Sequence, residues 1–432
     1  MAFKLEWLIK VLPKGSFLQG VLALASGTVA AQIVTVLASP LLTRFYTPAD
    51  FGVLAVFIAL LSVLSVVSSV RYELAIPLAT TSAEALNILA LAVSINIVCS
   101  LVIGLLLLGL HGEIISLLDV PLLAPYLWVL PIGVILVGTY RALTFWAVRE
   151  KIFSIIARTK LTQAVLGVGT QLALGVAHGG PLGLITGQVI SQSAGMMVIG
   201  HRLSARFKKV KRSIKLCRMA TSAIRYARFP KFDLAAAAAN TTAANLPQFL
   251  LAALFFPAVA GHYLLAWRVV SMPVSVLGQA VGQALYAQAR EAAKKGRLFR
   301  FVCQIAGVLG LLMVVPLTGM FAWGEQLFTL VFGPDWGVAG RYAGWLILGA
   351  SVQFVYSPIS FMLLATNSQH VNLAIQLFLL AAKSGAIIFG FLKADPLLAI
   401  IALASADAVG YSLGVLLTLR QVKQYQGLQC LS

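Results

Sequence analysis

After Glu84 no Asp, Glu, Lys or Arg occurs until Glu113, and most of what lies between is Leu, Ile, Val or Ala. A stretch that long and that apolar is a transmembrane helix candidate, because roughly 20 apolar residues cross a hydrocarbon core and lipid admits only segments that satisfy their own backbone. Windows of this kind, cut at glycine, proline or charge, run near 17–43, 49–70, 84–110, 122–147, 153–177, 181–203, 234–255, 258–288, 300–323, 338–365, 369–391 and 396–419. Composition agrees: of 432 residues 60% are hydrophobic and 10% charged, against about half and a quarter in soluble domains. The expectation is an all-α polytopic membrane protein of about 12 transmembrane helices.

Lys and Arg outnumber Asp and Glu by 32 to 13, a net charge of +19. In a soluble protein that excess points to nucleic acid. Here 27 of the 32 basic residues, Lys160 among them as a flank of the fifth window, fall on alternate breaks between windows or on the window ends beside those breaks, counted from the N-terminus. The opposite breaks hold only Arg44, Arg341 and Lys393, while Arg268 and Lys383 lie inside windows. Cytoplasmic loops carry such an excess of Lys and Arg, so both termini are expected in the cytoplasm and no nucleic-acid partner is needed. The densest basic stretch, "HRLSARFKKVKRSIKLCRMATSAIRYARFPKF" (201–232), divides the windows into two sets of six. The expected organisation is an N-terminal lobe over 1–204, a basic cytoplasmic linker over 205–232 and a C-terminal lobe over 233–432. Each linker cation contributes about 1 kcal/mol beside anionic headgroups; anchoring the topology is preferred over regulation as its role.

The opening "MAFKLEWLIKVLPKG" has no signal-peptide cleavage pattern. Phe3, Trp7, Leu8 and Val11 share one helical face, which fits either a short interfacial helix or a plain lead-in. Cys99, Cys217, Cys303 and Cys430 are widely spaced and the five histidines scattered, so neither a disulfide framework, a metal site nor a cofactor is expected. Every outer break is short, the longest near 325–336, leaving no space for an extramembrane catalytic domain.

The two halves repeat. "TPADFGVLAVF" (47–57) aligns without gaps on "FPAVAGHYLLA" (256–266), with Pro48, Ala49 and Gly52 meeting Pro257, Ala258 and Gly261 at a constant offset of 209. Both stretches join the first and second windows of their half, so the repeat is parallel and its pseudo-twofold axis runs along the membrane normal.

Polar groups inside a membrane are functional candidates by default. Arg268, in "HYLLAWRVVSMPVSV", has no acid near it in sequence. Its planar fork suits phosphate oxygens, the alternative being a tie to backbone carbonyls or a distant acid. Lys383 ("LLAAKSGAII") and Asp407 ("ALASADAVGYS") reach similar depth on neighbouring windows. They form a structural ion pair, or else Asp407 carries a coupling H+ or Na+ with Lys383 as a further anion contact. Asp233 opens the seventh window as a helix cap or a second ion carrier. Pro40, Pro247, Pro273, Pro316 and Pro358 fall inside windows, where each removes a backbone hydrogen bond. Arg44, at the outer end of the first window, snorkels to headgroups or faces a vestibule between the halves, with Asp50 as a possible partner.

"LLTRFYTPADFGVLAVF" followed by "VRYELAIPLA" (70–79), and "AANLPQFLLAALFFPAVAGHYLLAWRVVSMPVSVLGQAVGQALYAQA" (243–289), resemble the polysaccharide-transport family. These are the Wzx-type flippases of the multidrug/oligosaccharidyl-lipid/polysaccharide exporter superfamily. The resemblance implies two six-helix lobes forming a V around a cationic cavity in the bacterial inner membrane. It implies as cargo an undecaprenyl-diphosphate-linked oligosaccharide repeat unit (O-antigen, capsule or exopolysaccharide), moved from the cytoplasmic to the periplasmic leaflet beside membrane lipids. A polysaccharide polymerase and a chain-length regulator are the implied partners. Arg268 falls where relatives that flip diphosphate lipids carry a cavity cation, and Arg44 and the Arg71–Glu73 pair match the family's signature strings. Two further C-terminal helices typical of lipid II flippases are not in the chain, which argues against a peptidoglycan precursor. A drug exporter of the same superfamily should carry carboxylates within its first lobe, and a polysaccharide polymerase or ligase a large outer loop; neither is present in the sequence. The protein is therefore read as a transporter and not an enzyme.

Overall fold

A computed structural model describes residues 16–118, 121–210, 213–294, 296–366 and 368–429. The face of Phe3, Trp7, Leu8 and Val11 and the cysteine at 430 lie outside the described residues. The described chain is helical, and each predicted window coincides with helix. In chain order these are α1 (Ser16–Phe45), α2 (Pro48–Ser68), α3 (Ser82–Gly109), the short α4 (His111–Leu118), α5 (Val129–Arg149), α6 (Phe153–Val176), α7 (Pro181–Ser193) and α8 (Gly195–Val210). After α9 (Leu216–Arg225) follow α10 (Leu234–Leu254), α11 (Pro257–Lys294), α12 (Leu298–Phe332), α13 (Gly337–Ile359), α14 (Phe361–Ala365), α15 (Gln369–Leu392) and α16 (Pro396–Gln429). Among the described residues nine helical stretches are long and apolar enough to cross a membrane. Leu105 and Leu108 on α3, Leu311 and Val315 on α12, and Leu373 and Leu377 on α15 stand exposed on outward faces, the positions lipid would cover.

Local sequence explains the junctions. The "TPAD" of 47–50 is a capping box: the Thr47 hydroxyl accepts from the Asp50 amide at 3.2 Å, the Asp50 carboxylate accepts from the Thr47 amide at 2.8 Å, and Pro48 begins the helix. Asp50 is thus engaged in starting α2, and the pairing with Arg44 considered from the sequence does not form among the described residues. Pro40, Pro247, Pro316 and Pro358 all lie inside helices, as expected.

The repeat is physical. A Cβ on Gly52 would collide with the Pro257 carbonyl, and a Cβ on Gly261 with the Pro48 carbonyl. Each half presents its glycine to the other's proline, so the offset seen in sequence becomes a reciprocal contact between α2 and α11 about the pseudo-twofold axis. Only a residue without a side chain permits backbones this close.

The apolar core is distributed unevenly along that axis. At the end opposite the basic linker, one cluster runs through both halves, from Leu42, Phe51 and Leu54 to Leu265, Phe328, Trp336 and Ala343. At the linker end it divides: Ile76, Leu89 and Trp146 form one core, Leu285, Val302 and Met362 another. The linker itself is not a bare polar run. Its helix α9 is seated on the first half, where Asn87 donates to the Ser213 carbonyl (3.1 Å) and accepts from the Lys215 amide (3.1 Å), Arg225 meets Glu84 at 2.9 Å, and the Tyr72 hydroxyl donates to the Ala223 carbonyl at 3.1 Å.

Candidate functional site

Arg268 lies about 16 Å along α11 from Pro257, at 1.5 Å per residue. It borders a cavity of about 280 Å³ between the two halves. The other polar lining comes from Thr28, Gln32 and Thr35 on α1, Lys160 and Gln163 on α6, Ser191 on α7 and Ser271 on α11. Two cations, one from each half, face the same space, and no carboxylate lines it among the described residues. Arg268 has no ion-pair or hydrogen-bond partner among those residues, whereas most arginines packed inside a fold are neutralised. Gln163 is 2% exposed and its Nε2 has no hydrogen-bond partner among them. A buried donor left this way costs about 1–3 kcal/mol, which an acceptor in the cavity would recover.

Sequence reasoning counted Lys160 as a flank of the fifth window and overlooked Gln163. Close helix contact places them: a Cβ on Gly27 would fall 2.6 Å from the Ala157 carbonyl, so α1 rides directly on α6 with Lys160 one turn further along. The Lys160 ammonium is also 5.6 Å from the centroid of the Tyr140 ring, a cation–π contact that holds it at the wall. The available signal was that Lys160 falls a full two turns inside its helix, where Gln163 follows at helical spacing.

The remaining candidates lie elsewhere. Lys383 and Asp407 do pair, Nζ to Oδ1 at 2.8 Å between α15 and α16, with the ammonium 5.8 Å from the Tyr411 ring centroid. Neither borders the Arg268 cavity. Asp233 makes no capping bond to α10; it accepts from Arg71 Nε at 2.7 Å, joining the linker end of α10 to the turn after α2. That turn holds Val70 and Arg71 at φ 50° and 64°, backbone that β-branched and long side chains rarely adopt. It tucks Glu73 into full burial, 3.9 Å from Arg71 and within reach of Arg141. Arg44 is exposed at the far end of α1 beside Gly333. Its neighbour Thr43 receives the Trp336 Nε1–H at 3.4 Å, and the Trp336 ring stands edge-on to Phe51 (4.9 Å) and His262 (5.6 Å). Arg44 therefore flanks an aromatic seal between the halves and does not line the cavity.

This architecture is shared with known transporters. The chain resembles an inward closed structure of the lipid II flippase MurJ, with a TM-score of 0.68 at 12% identity, covering 94% of this chain and 90% of that one. An inward-facing multidrug resistance MATE family transporter of the MOP superfamily gives 0.66 at 13% identity, covering 94% and 95%. A MOP superfamily transporter from Pyrococcus furiosus, described as having a binding pocket of reverse polarity, gives 0.57 at 15% identity, covering 96% and 98%. No curated protein matches the chain in sequence. A family model described as "Polysaccharide biosynthesis protein" matches residues 41–340, a span that takes in the capping box of α2, the cavity cations and the seal at Trp336. With well over half its length so matched, the chain belongs to the polysaccharide biosynthesis protein family and carries the fold of the MOP superfamily transporters.

Proposed function

We propose that the protein is a flippase that carries lipid-linked oligosaccharide repeat units, joined to undecaprenyl through a diphosphate, across the bacterial inner membrane from the cytoplasmic to the periplasmic leaflet. The observation that carries this reading is the cavity with a cation from each half, no lining carboxylate among the described residues, and a buried unmatched donor beside them. Such a set prefers an acceptor-rich anion. A cationic drug would meet repulsion from Arg268 and Lys160 with no acid to offset it. At about 280 Å³ the space is smaller than the roughly 300–1,000 Å³ of pockets for drug-sized ligands. It suits a head group, and the sugars need the halves to part further.

In this reading residues 1–204 and 233–432 are two lobes, 205–232 is their cytoplasmic linker, and both termini are cytoplasmic. The divided core at the linker end supports entry from the cytoplasm, and the shared core at the other end supports a closed periplasmic side. Arg268 and Lys160 hold the diphosphate while the prenyl chain stays in lipid. Rocking of one lobe on the other breaks the seal at Trp336, beside which Arg44 meets the departing head. Moving two negative charges outward along an inside-negative potential gains roughly 2.3 kcal/mol per charge per 100 mV. Lys383–Asp407 is a structural pair. If H+ or Na+ also drives the cycle through Asp407 or Asp233, the ion must displace Lys383 or Arg71, since each carboxylate already holds a protein cation. A polymerase consumes the delivered units, with a chain-length regulator setting how many are joined.

Complementation of a flippase-deficient strain tests this. Arg268→Ala is expected to leave repeat units accumulating on the inner leaflet, with Arg268→Lys partly restoring export because charge survives while the fork is lost. Full surface-glycan export by a normally expressed Arg268→Ala/Lys160→Ala double variant would refute the assignment.

A further inference from the structure

Helix α9 carries two faces beyond what its packing uses. Met219 and Ser222 are buried against the first half. On the open side Leu216, Ala220 and Ile224 recur every fourth residue, with Leu216 83% and Ile224 79% exposed, while Arg218 and Arg225 line the adjacent edge. Single exposed apolar residues are ordinary. A stripe of them bordered by cations, at the rim of a membrane-spanning bundle, is the pattern of a helix lying in the interface.

The end of α9 adds an independent observation. A groove of about 620 Å³ opens there between α9, the Tyr72–Leu78 turn and the start of α10. Leu78, Phe229 and Ala236 give it an apolar wall, and Arg225 and Arg228 a basic one. Arg225 directs one N–H at Glu84 and keeps the rest of its fork. Arg228 is exposed and has no ion pair among the described residues. Asp233, also on the wall, is already held by Arg71.

We infer that this groove is a headgroup site for an anionic phospholipid of the surrounding bilayer. Arg225 and Arg228 take its phosphate, Leu78, Phe229 and Ala236 take the glycerol and upper acyl chains, and the Leu216–Ile224 stripe beds into the same leaflet. A free anion would use the arginines but leave the apolar wall and the stripe in water, which is why a lipid is the occupant. The site is separate from the Arg268 cavity and stands whether or not the flippase reading holds.

Native mass spectrometry of the full-length protein, titrated with phosphatidylglycerol or phosphatidylcholine, reads the site directly. The wild type is expected to retain its first phosphatidylglycerol at least about five-fold more tightly than phosphatidylcholine, the factor one basic residue contributes near an anionic surface. Arg228→Gln should erase most of that preference, Leu78→Gln should weaken both lipids alike, and Lys423→Gln, an exposed cation elsewhere, should change neither. An unchanged preference in Arg228→Gln would overturn the site. So would an equal loss in Lys423→Gln, which means diffuse charge, or displacement of the lipid by equimolar inorganic phosphate, which means a free-anion site.

Discussion

Replacing Lys383 by Met should destabilise the protein far more than replacing both members of its ion pair. At 2.8 Å the attraction between Lys383 and Asp407 is about 6 kcal/mol at an effective dielectric constant near 20. Withdrawing the two charges from water costs several kcal/mol per ion, so the intact pair is close to neutral in net stability. In Lys383→Met the carboxylate, whose side chain is only 4% exposed, keeps its desolvation cost and loses the attraction, an expected loss of about 3–5 kcal/mol. In Lys383→Met/Asp407→Leu no charge remains, and stability should return to within about 1 kcal/mol of wild type or exceed it. Equilibrium unfolding in mixed detergent micelles across the wild type, both singles and the double gives the coupling energy. A single variant within about 1 kcal/mol of wild type, or a double no better than the single, would refute the reasoning. A double that regains stability yet fails to export would move the pair from scaffold to machinery.

Three other outcomes are expected. Gly52→Val places a side chain where the Pro257 carbonyl sits, an overpacking of about 1–3 kcal/mol against the state described above; spin labels at Leu122 and Lys393 should report a greater population of widely separated far ends, and an unchanged distance distribution would count against the contact. Thr47→Ala removes the acceptor that caps α2 and should cost about 1 kcal/mol in the same unfolding assay, with Thr47→Ser close to wild type. Asp233→Asn weakens the hold on Arg71, and limited proteolysis should cut the linker faster than in wild type; equal rates would show that the α9 contacts alone keep it seated.

Much of the fold was readable because the bilayer leaves so few options: each apolar window falls on helix, with breaks inside 122–147, 181–203 and 338–365, and the proline–glycine offset became the contact between halves. Arg268 and the Lys383–Asp407 pair were readable for the related reason that a charge amid apolar residues must find a cavity or a partner. Lys160 was hidden by its position near a basic boundary, where counting along the chain cannot tell a flank from a wall; the Gly27–Ala157 approach decides it. The helix in the linker was masked by charge, since its buried face holds just Met219 and Ser222 and the rest of its seating is polar, through Asn87, Glu84 and Tyr72. The sequence argument offered Arg44 to Asp50 and a helix cap or ion-carrier role to Asp233; three-dimensional proximity instead gives Asp50 the Thr47 amide and Asp233 the Arg71 guanidinium.

The crossed prolines and glycines at the far end have a mechanical corollary. Two bolts set side by side on one seam share its load, so the halves cannot part at Gly52–Pro257 without straining Gly261–Pro48 as well. Loosening either contact therefore loads the other, and a side chain added at Gly261 is expected to disturb the same closure as one added at Gly52.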